Sequence, residues 1–225
     1  MANRGIIFDL DGTLLNTLED ITAAVNRGIT RFGFPPIDLQ RCRRIVGEGI
    51  AVLVRRALPP DVTEERLAEI TAAVEREYRA GIVDRTRPYP GVPEILDRLQ
   101  AAGVPMAILS NKPHGLTVES VRLLLPRWRF LAVYGARPDR PPKPDPTVPL
   151  EIAASMRLAP AAIMFVGDSE IDISTARHAL MIAVAACWGF RDRRELAALG
   201  PAFLIDTPGG LAEIVFGQTP SGANF

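Results

Sequence analysis

"IIFDLDGTL", residues 6–14, decides how the rest of the chain is read. Its apolar start predicts a short buried strand over residues 6–10. Asp9 and Asp11 follow, one residue apart, and in extended backbone they point to the same side. Two carboxylates this close repel each other unless a cation or a shared proton lies between them. Gly12 then permits a tight turn, and Thr13 offers a hydroxyl donor. The plain alternative is a strand that ends in an ordinary Asp-Gly turn. The second aspartate and the threonine argue for a site instead, because a buried strand is delivering charge to its carboxyl end.

Working outward, residues 17–84 hold no strand pattern. "TLEDITAAVNRGITRF" spaces Leu18, Ile21, Val25, Ile29 and Phe32 along one helical face, with Thr17 and Asp20 suited to its N-cap. "ITAAVEREYRAGI" reads likewise, with Thr63 as its cap. From residue 86 the pattern alternates. Helix 93–102 leads to strand 104–109, helix 115–124 to strand 130–134, helix 147–156 to strand 162–166, and helix 171–179 to strand 181–186. A strand near 202–205 and helix 209–215 close the series. Alternating strands and helices predict an α/β fold, a doubly wound parallel sheet covered on both faces. The all-helical block is then an insert after the first strand. The expected division is a catalytic core of residues 1–16 and 86–217, a helical cap of 17–85, and a flexible tail of 218–225.

Composition narrows the function. The 225 residues are 48% hydrophobic, enough for a sizeable core, and carry 26 basic against 26 acidic side chains. That balance argues against nucleic acid as a partner. No apolar run reaches the roughly 18 residues that span a bilayer, so no membrane partner is expected. The N-terminus lacks a secretory pattern, and Cys42 and Cys187 match no metal spacing, which suits a cytoplasmic protein with reduced thiols. Lys112 and Lys143 are the only lysines among 24 arginines. Each is therefore a candidate for a task needing a compact ammonium group.

Three further strand ends carry polar groups. "IMFVGDSEIDI" (163–173) ends a strand in Asp168, with Asp172 four residues later. Alone, Asp168 reads as a helix cap; beside the first pair it reads as a metal ligand. A few hard oxygen ligands with open positions suit Mg2+. "AILSNKP" (107–113) presents Ser110 and Asn111 before a helix, an anion cradle. "PPKPDP" (141–146) sets Lys143 in stiff backbone between prolines.

In this order and at these strand ends, the four stretches resemble the motifs of the haloacid dehalogenase superfamily, over nearly the whole chain. The resemblance implies a Rossmann-like core with strand order 5-4-1-2-3, placing Asp9 beside Asp168. It implies Asp9 as nucleophile and Asp11 as general acid/base. Ser110, Asn111 and Lys143 would hold phosphate. Asp9, Asp11 through its carbonyl, and Asp168 would hold Mg2+, with Asp172 in support. Dehalogenases of this fold lack the second aspartate of the first motif, and phosphonatases use a cap lysine, which residues 17–84 do not contain. The finer stretches "VGEGIAVLVRRAL", "YPGVPEILDRLQAAG" and "WGF" (188–190) resemble the phosphoglycolate phosphatase branch. The substrate expected is a small phosphate ester, most of all 2-phosphoglycolate; pyrophosphate and sugar phosphates are the alternatives. Asn16 and Ile171 depart from the branch's usual aspartate and asparagine. Gly47, Glu48 and Gly49 form the expected cap loop over the substrate, where Glu48 would oppose an anion. Arg43, Arg44, Arg55 and Arg56 are the nearby cations that would attract one.

Overall fold

Gly5–Phe8 forms strand β1, and all four residues are buried. Apolar side chains on both faces suit a strand covered on both sides. The computed structural model describes residues 4–217, so the expected tail, 218–225, lies outside the described residues. After β1 come β2 (Leu15–Asn16), α1 (Leu18–Thr30), α2 (Leu39–Ile45), α3 (Ile50–Ala57), α4 (Glu64–Ala80) and β3 (Arg87–Pro88). The alternating part runs α5 (Val92–Ala101), β4 (Met106–Pro113), α6 (His114–Leu124), β5 (Ala132–Ala136), α7 (Thr147–Met156) and β6 (Ile163–Gly167). It continues through α8 (Glu170–His178), β7 (Ile182–Ala186), α9 (Arg193–Ala198), β8 (Phe203–Ile205) and α10 (Gly210–Phe216).

Six strands pair in the order β5-β4-β1-β6-β7-β8, and every pair is parallel. Read from the β8 edge and numbered within this sheet, that is the expected 5-4-1-2-3 with a sixth strand added outside the fifth. The period of two sorts side chains between the faces. Ile6, Phe8, Ile108 and Val166 pack with Ile95, Leu96 and Leu99 of α5 and Leu211 of α10. Ile7, Ala107, Leu109 and Phe165 face the other way, onto Ile152 of α7, Ile173 and Ala176 of α8, and Leu196 of α9.

The inserted helices bury a separate cluster. Leu18, Ile21, Val25 and Ile29 of α1 meet Leu67, Ile70, Val74 and Tyr78 of α4, the stripes that the helical spacing predicted. Thr63 caps α4 by accepting from the Arg66 N–H at 3.3 Å. Thr17 occupies the cap position of α1 but makes no capping bond, contrary to expectation. Asp20 is diverted too. It is buried and accepts from the Arg85 N–H, the Thr86 N–H at 2.8 Å and the Thr86 hydroxyl at 2.6 Å, tying α1 to the returning chain. Beside that tie, β2 and β3 pair antiparallel, so the outgoing and returning connections run together. Their two residues each are too short to give a periodic signal. Among the described residues no helix is long and apolar enough to cross a membrane.

Candidate active site

β1 stops at Phe8, and Asp9 extends its ladder by one bond, donating its N–H to Val166 O at 2.9 Å. That bond fixes the backbone of Asp9 against β6, whose next residues are Gly167 and Asp168. Gly12 turns the chain away with φ +87°, and a Cβ there would lie 2.3 Å from Asp168 Oδ2. Only glycine lets the first loop approach this carboxylate. Asp168 is held from two sides. Its Oδ1 accepts from the Thr13 hydroxyl at 2.9 Å, and its Oδ2 from the Phe190 N–H at 2.8 Å. It is not a helix cap: Ser169 fills that place on α8 in a reciprocal capping box with Asp172.

Asp9, Asp168 and Asp172 bring one carboxylate oxygen each within 4.8 Å of one another, and all three are buried. Burial raises Asp9 to about 7, with Lys143 pulling against the shift and Asp172 adding to it. Burial likewise raises Asp168 to about 8, reinforced by Asp172 and Asp9. Carboxylates so placed resist ionising together without more positive charge. An all-oxygen donor set of this kind fits a hard divalent cation such as Mg2+.

Lys143 supplies part of the compensation. Its Nζ lies 2.9 Å from Asp9 Oδ1 and 2.6 Å from Asp172 Oδ1, with its side chain only 2% exposed. Burial would lower its pKa, but Asp172 and Asp9 outweigh that and raise it, so it stays charged. Asp172 therefore orients the lysine with one oxygen and receives the Ser169 N–H and hydroxyl with the other. The side chain of Asn111 is engaged within the protein. It accepts from the Lys143 N–H at 2.9 Å and donates to Lys143 O at 3.1 Å and Gly47 O at 3.3 Å. Its side-chain amide ties Lys143 and the cap loop to the end of β4, and the anion cradle expected here is one of backbone N–H groups. Ser110 Oγ accepts from the Lys112 N–H at 3.3 Å and keeps its own proton to donate.

A cavity of about 50 Å³ opens over this edge, space on the order of a few water molecules. Asp9, Asp11, Ser110, Asn111 and Lys112 line its floor. Ile21, Val25, Val46, Ile50, Leu53, Val74 and Phe190 wall it. Gly47 and Gly49 lie at its rim, and a Cβ on Gly49 (φ +90°) would sit 3.2 Å from Asn111 O. The cap loop thus covers the site, but not with the expected charges. Glu48 pairs with Arg56 at 2.5 Å and is absent from the walls. Arg43 donates to the carbonyls of Phe190 and Gly189, and Arg55 pairs with Glu64. None of these arginines, nor Arg44, lines the cavity.

Lys112, the other of the two lysines, has no role that its sequence context specifies. Its Nζ lies 3.2 Å from Asp11 Oδ1 and donates to the Tyr78 hydroxyl at 2.6 Å, joining the core to α4. Tyr78 reads in the sequence as one more apolar position on the α4 stripe, and no motif marks its hydroxyl.

A family model described as haloacid dehalogenase-like hydrolase matches residues 6–186. Phosphoglycolate phosphatase 1 of Pseudomonas aeruginosa is 34% identical over 208 residues, 90% of this chain and 76% of that protein. The phosphoglycolate phosphatase of Chromobacterium violaceum is 34% identical over 203 residues, 87% of this chain and 90% of that one. A crystal structure of a predicted phosphoglycolate phosphatase from Haemophilus somnus superposes with TM-score 0.89 at 26% identity, covering 95% of this chain and 98% of that one. The match spans the loop of Asp9 and Asp11, the inserted helices, β4 with Ser110, and β6 with Asp168 just after it, and on it the chain belongs to the haloacid dehalogenase-like hydrolase family.

Proposed function

We propose that the protein hydrolyses a small phosphate monoester, with 2-phosphoglycolate the leading substrate, by passing the phosphoryl group through Asp9. The observation that carries this is the division between the two aspartates. Both line the cavity, but Asp9 pairs with Lys143 beside the buried carboxylates, whereas Asp11 pairs with Lys112. That division supports Asp9 as the attacking group and Asp11 as the group that exchanges a proton with the leaving group.

In the first step an Asp9 oxygen attacks phosphorus while the bond to the leaving oxygen breaks, and Asp11 gives its proton to that oxygen. In the second, Asp11 takes a proton from water, which attacks phosphorus and returns Asp9 as a carboxylate with inorganic phosphate released. Lys143 and the Ser110 hydroxyl hold the phosphoryl oxygens in both steps. Asp9 and Asp168, with the Asp11 carbonyl, are the groups that would hold Mg2+; Asp172 supports them through Lys143 and Ser169. When bound, the ion neutralises charge between the nucleophile and the phosphoryl group.

The relatives named phosphoglycolate phosphatase favour that substrate, and so does the small cavity. The walls speak against a sugar phosphate, since Tyr78 is the one hydroxyl-bearing cap residue among those described there. Buried sugar hydroxyls would lack partners. Turnover of p-nitrophenyl phosphate and 2-phosphoglycolate, with Mg2+ and with a chelator, tests the reading. Hydrolysis that needs Mg2+ and favours phosphoglycolate is expected. Full activity in the chelator removes the metal role, and no turnover of either ester leaves a binding module in its place.

A further inference from the structure

We propose that Lys112, braced by Tyr78, is the receptor for a carboxylate carried on the leaving group. The proposal rests on the phosphatase reading and names the group that selects its substrate. The charge inventory of the cavity points there first. Among the described residues lining it, only Asp9, Asp11 and Lys112 are charged. The remaining cap wall is apolar apart from Tyr78, and an anion buried there needs a cation at contact distance. Every cap arginine named above is spent elsewhere or lies off the cavity.

Geometry points the same way. Asp11 must sit within hydrogen-bond reach of the leaving oxygen to protonate it. Lys112 Nζ lies 3.2 Å from the same carboxyl. A carboxylate two bonds from the leaving oxygen therefore falls within reach of Nζ. The ammonium carries three donors. Asp11 and the Tyr78 hydroxyl take two, and the third has no other partner among the described residues. With 2% of its side chain exposed, Lys112 is fixed before substrate arrives. Tyr78 belongs to α4, so the receptor is complete only when the cap helices sit on the core.

The test compares kcat/KM for 2-phosphoglycolate with that for ethyl phosphate, which has the same two carbons but no carboxylate. p-Nitrophenyl phosphate serves as a control that requires no specific leaving-group contact. Wild type is expected to prefer phosphoglycolate by about tenfold or more, the scale of one charge-assisted hydrogen bond. In Lys112→Met that ratio falls by about tenfold, beyond any loss that both esters share through Asp11. Lys112→Gln, which keeps a donor without the charge, serves if the Met variant does not fold. Wild type that hydrolyses p-nitrophenyl phosphate without preferring phosphoglycolate overturns the proposal and leaves the phosphatase reading standing. Equal losses on both esters overturn it as well, because Lys112 then acts only through Asp11. Wild type that hydrolyses none of the three esters refutes the phosphatase reading, and the proposal with it.

Discussion

Lys143→Met removes the one ammonium group shared by Asp9 and Asp172. The lysine and Asp172 side chains are 2% and 1% exposed, and Asp9 is 12% exposed. Stranding a buried charge by deleting its partner costs about 3–5 kcal/mol. A second route gives a similar figure. The variant can escape by protonating a carboxyl, at about 1.4 kcal/mol per pH unit above an ordinary value near 3.9, or about 4 kcal/mol at pH 7. Asp9, raised to about 7 by burial, already carries much of that cost in the metal-free wild type, so the added loss is one carboxyl's worth. At pH 5 the same arithmetic leaves about 1.5 kcal/mol. The sign is fixed by linkage. The folded variant holds a proton that the unfolded chain releases above about pH 4, so its deficit relative to wild type grows as pH rises from 4 to 7. Urea unfolding of both proteins in chelator, at pH 5 and pH 7, reads the two deficits. A loss under about 1 kcal/mol at pH 7, or equal losses at the two pH values, would refute the reasoning.

Other perturbations follow from the same contacts. Asp20→Ala removes the acceptor shared by the Arg85 and Thr86 N–H groups and is expected to destabilise by about 2–4 kcal/mol in urea titrations. Gly12→Ala forces a Cβ to 2.3 Å from Asp168 Oδ2 at φ +87°, and should lower both thermal stability and turnover. Glu48→Gln breaks a half-exposed pair with Arg56 and is expected to change phosphoglycolate kcat/KM by less than about threefold. A loss of a hundredfold there would place the Glu48 carboxylate at the substrate after all.

The clustering of Asp9 and Asp168 at the candidate site was legible because strand ends have strong sequence signals. An apolar run closing in Asp9-Leu10-Asp11-Gly12, and another closing in Gly167-Asp168, announce both their position and their chemistry. Lys143 stood out by rarity. What escaped were partners rather than residues. Nothing in the local pattern shows that Asn111 would turn back to the Lys143 backbone, or that Asp20 would leave its own helix for Thr86. Those bonds join segments 32 and 66 residues apart, and hydrophobic periodicity carries no information about such pairings. The arginines misled for the same reason: a basic pair in the last turn of α2 or α3 says nothing about which carbonyl or carboxylate claims each side chain. Lys112 shared the rarity of Lys143, but its meaning depended on Tyr78, whose hydroxyl is invisible within an apolar stripe.

The central claim is that Asp9 itself accepts the phosphoryl group. Mixing enzyme, Mg2+ and substrate, quenching in acid before one turnover is complete, and reducing with borohydride converts an acyl phosphate into an alcohol. Peptide mass spectrometry then locates the reduced residue. Homoserine at position 9, absent from an Asp9→Asn control, is the predicted result. Steady hydrolysis with no reduced residue at position 9, or with the label on another side chain, would contradict the account.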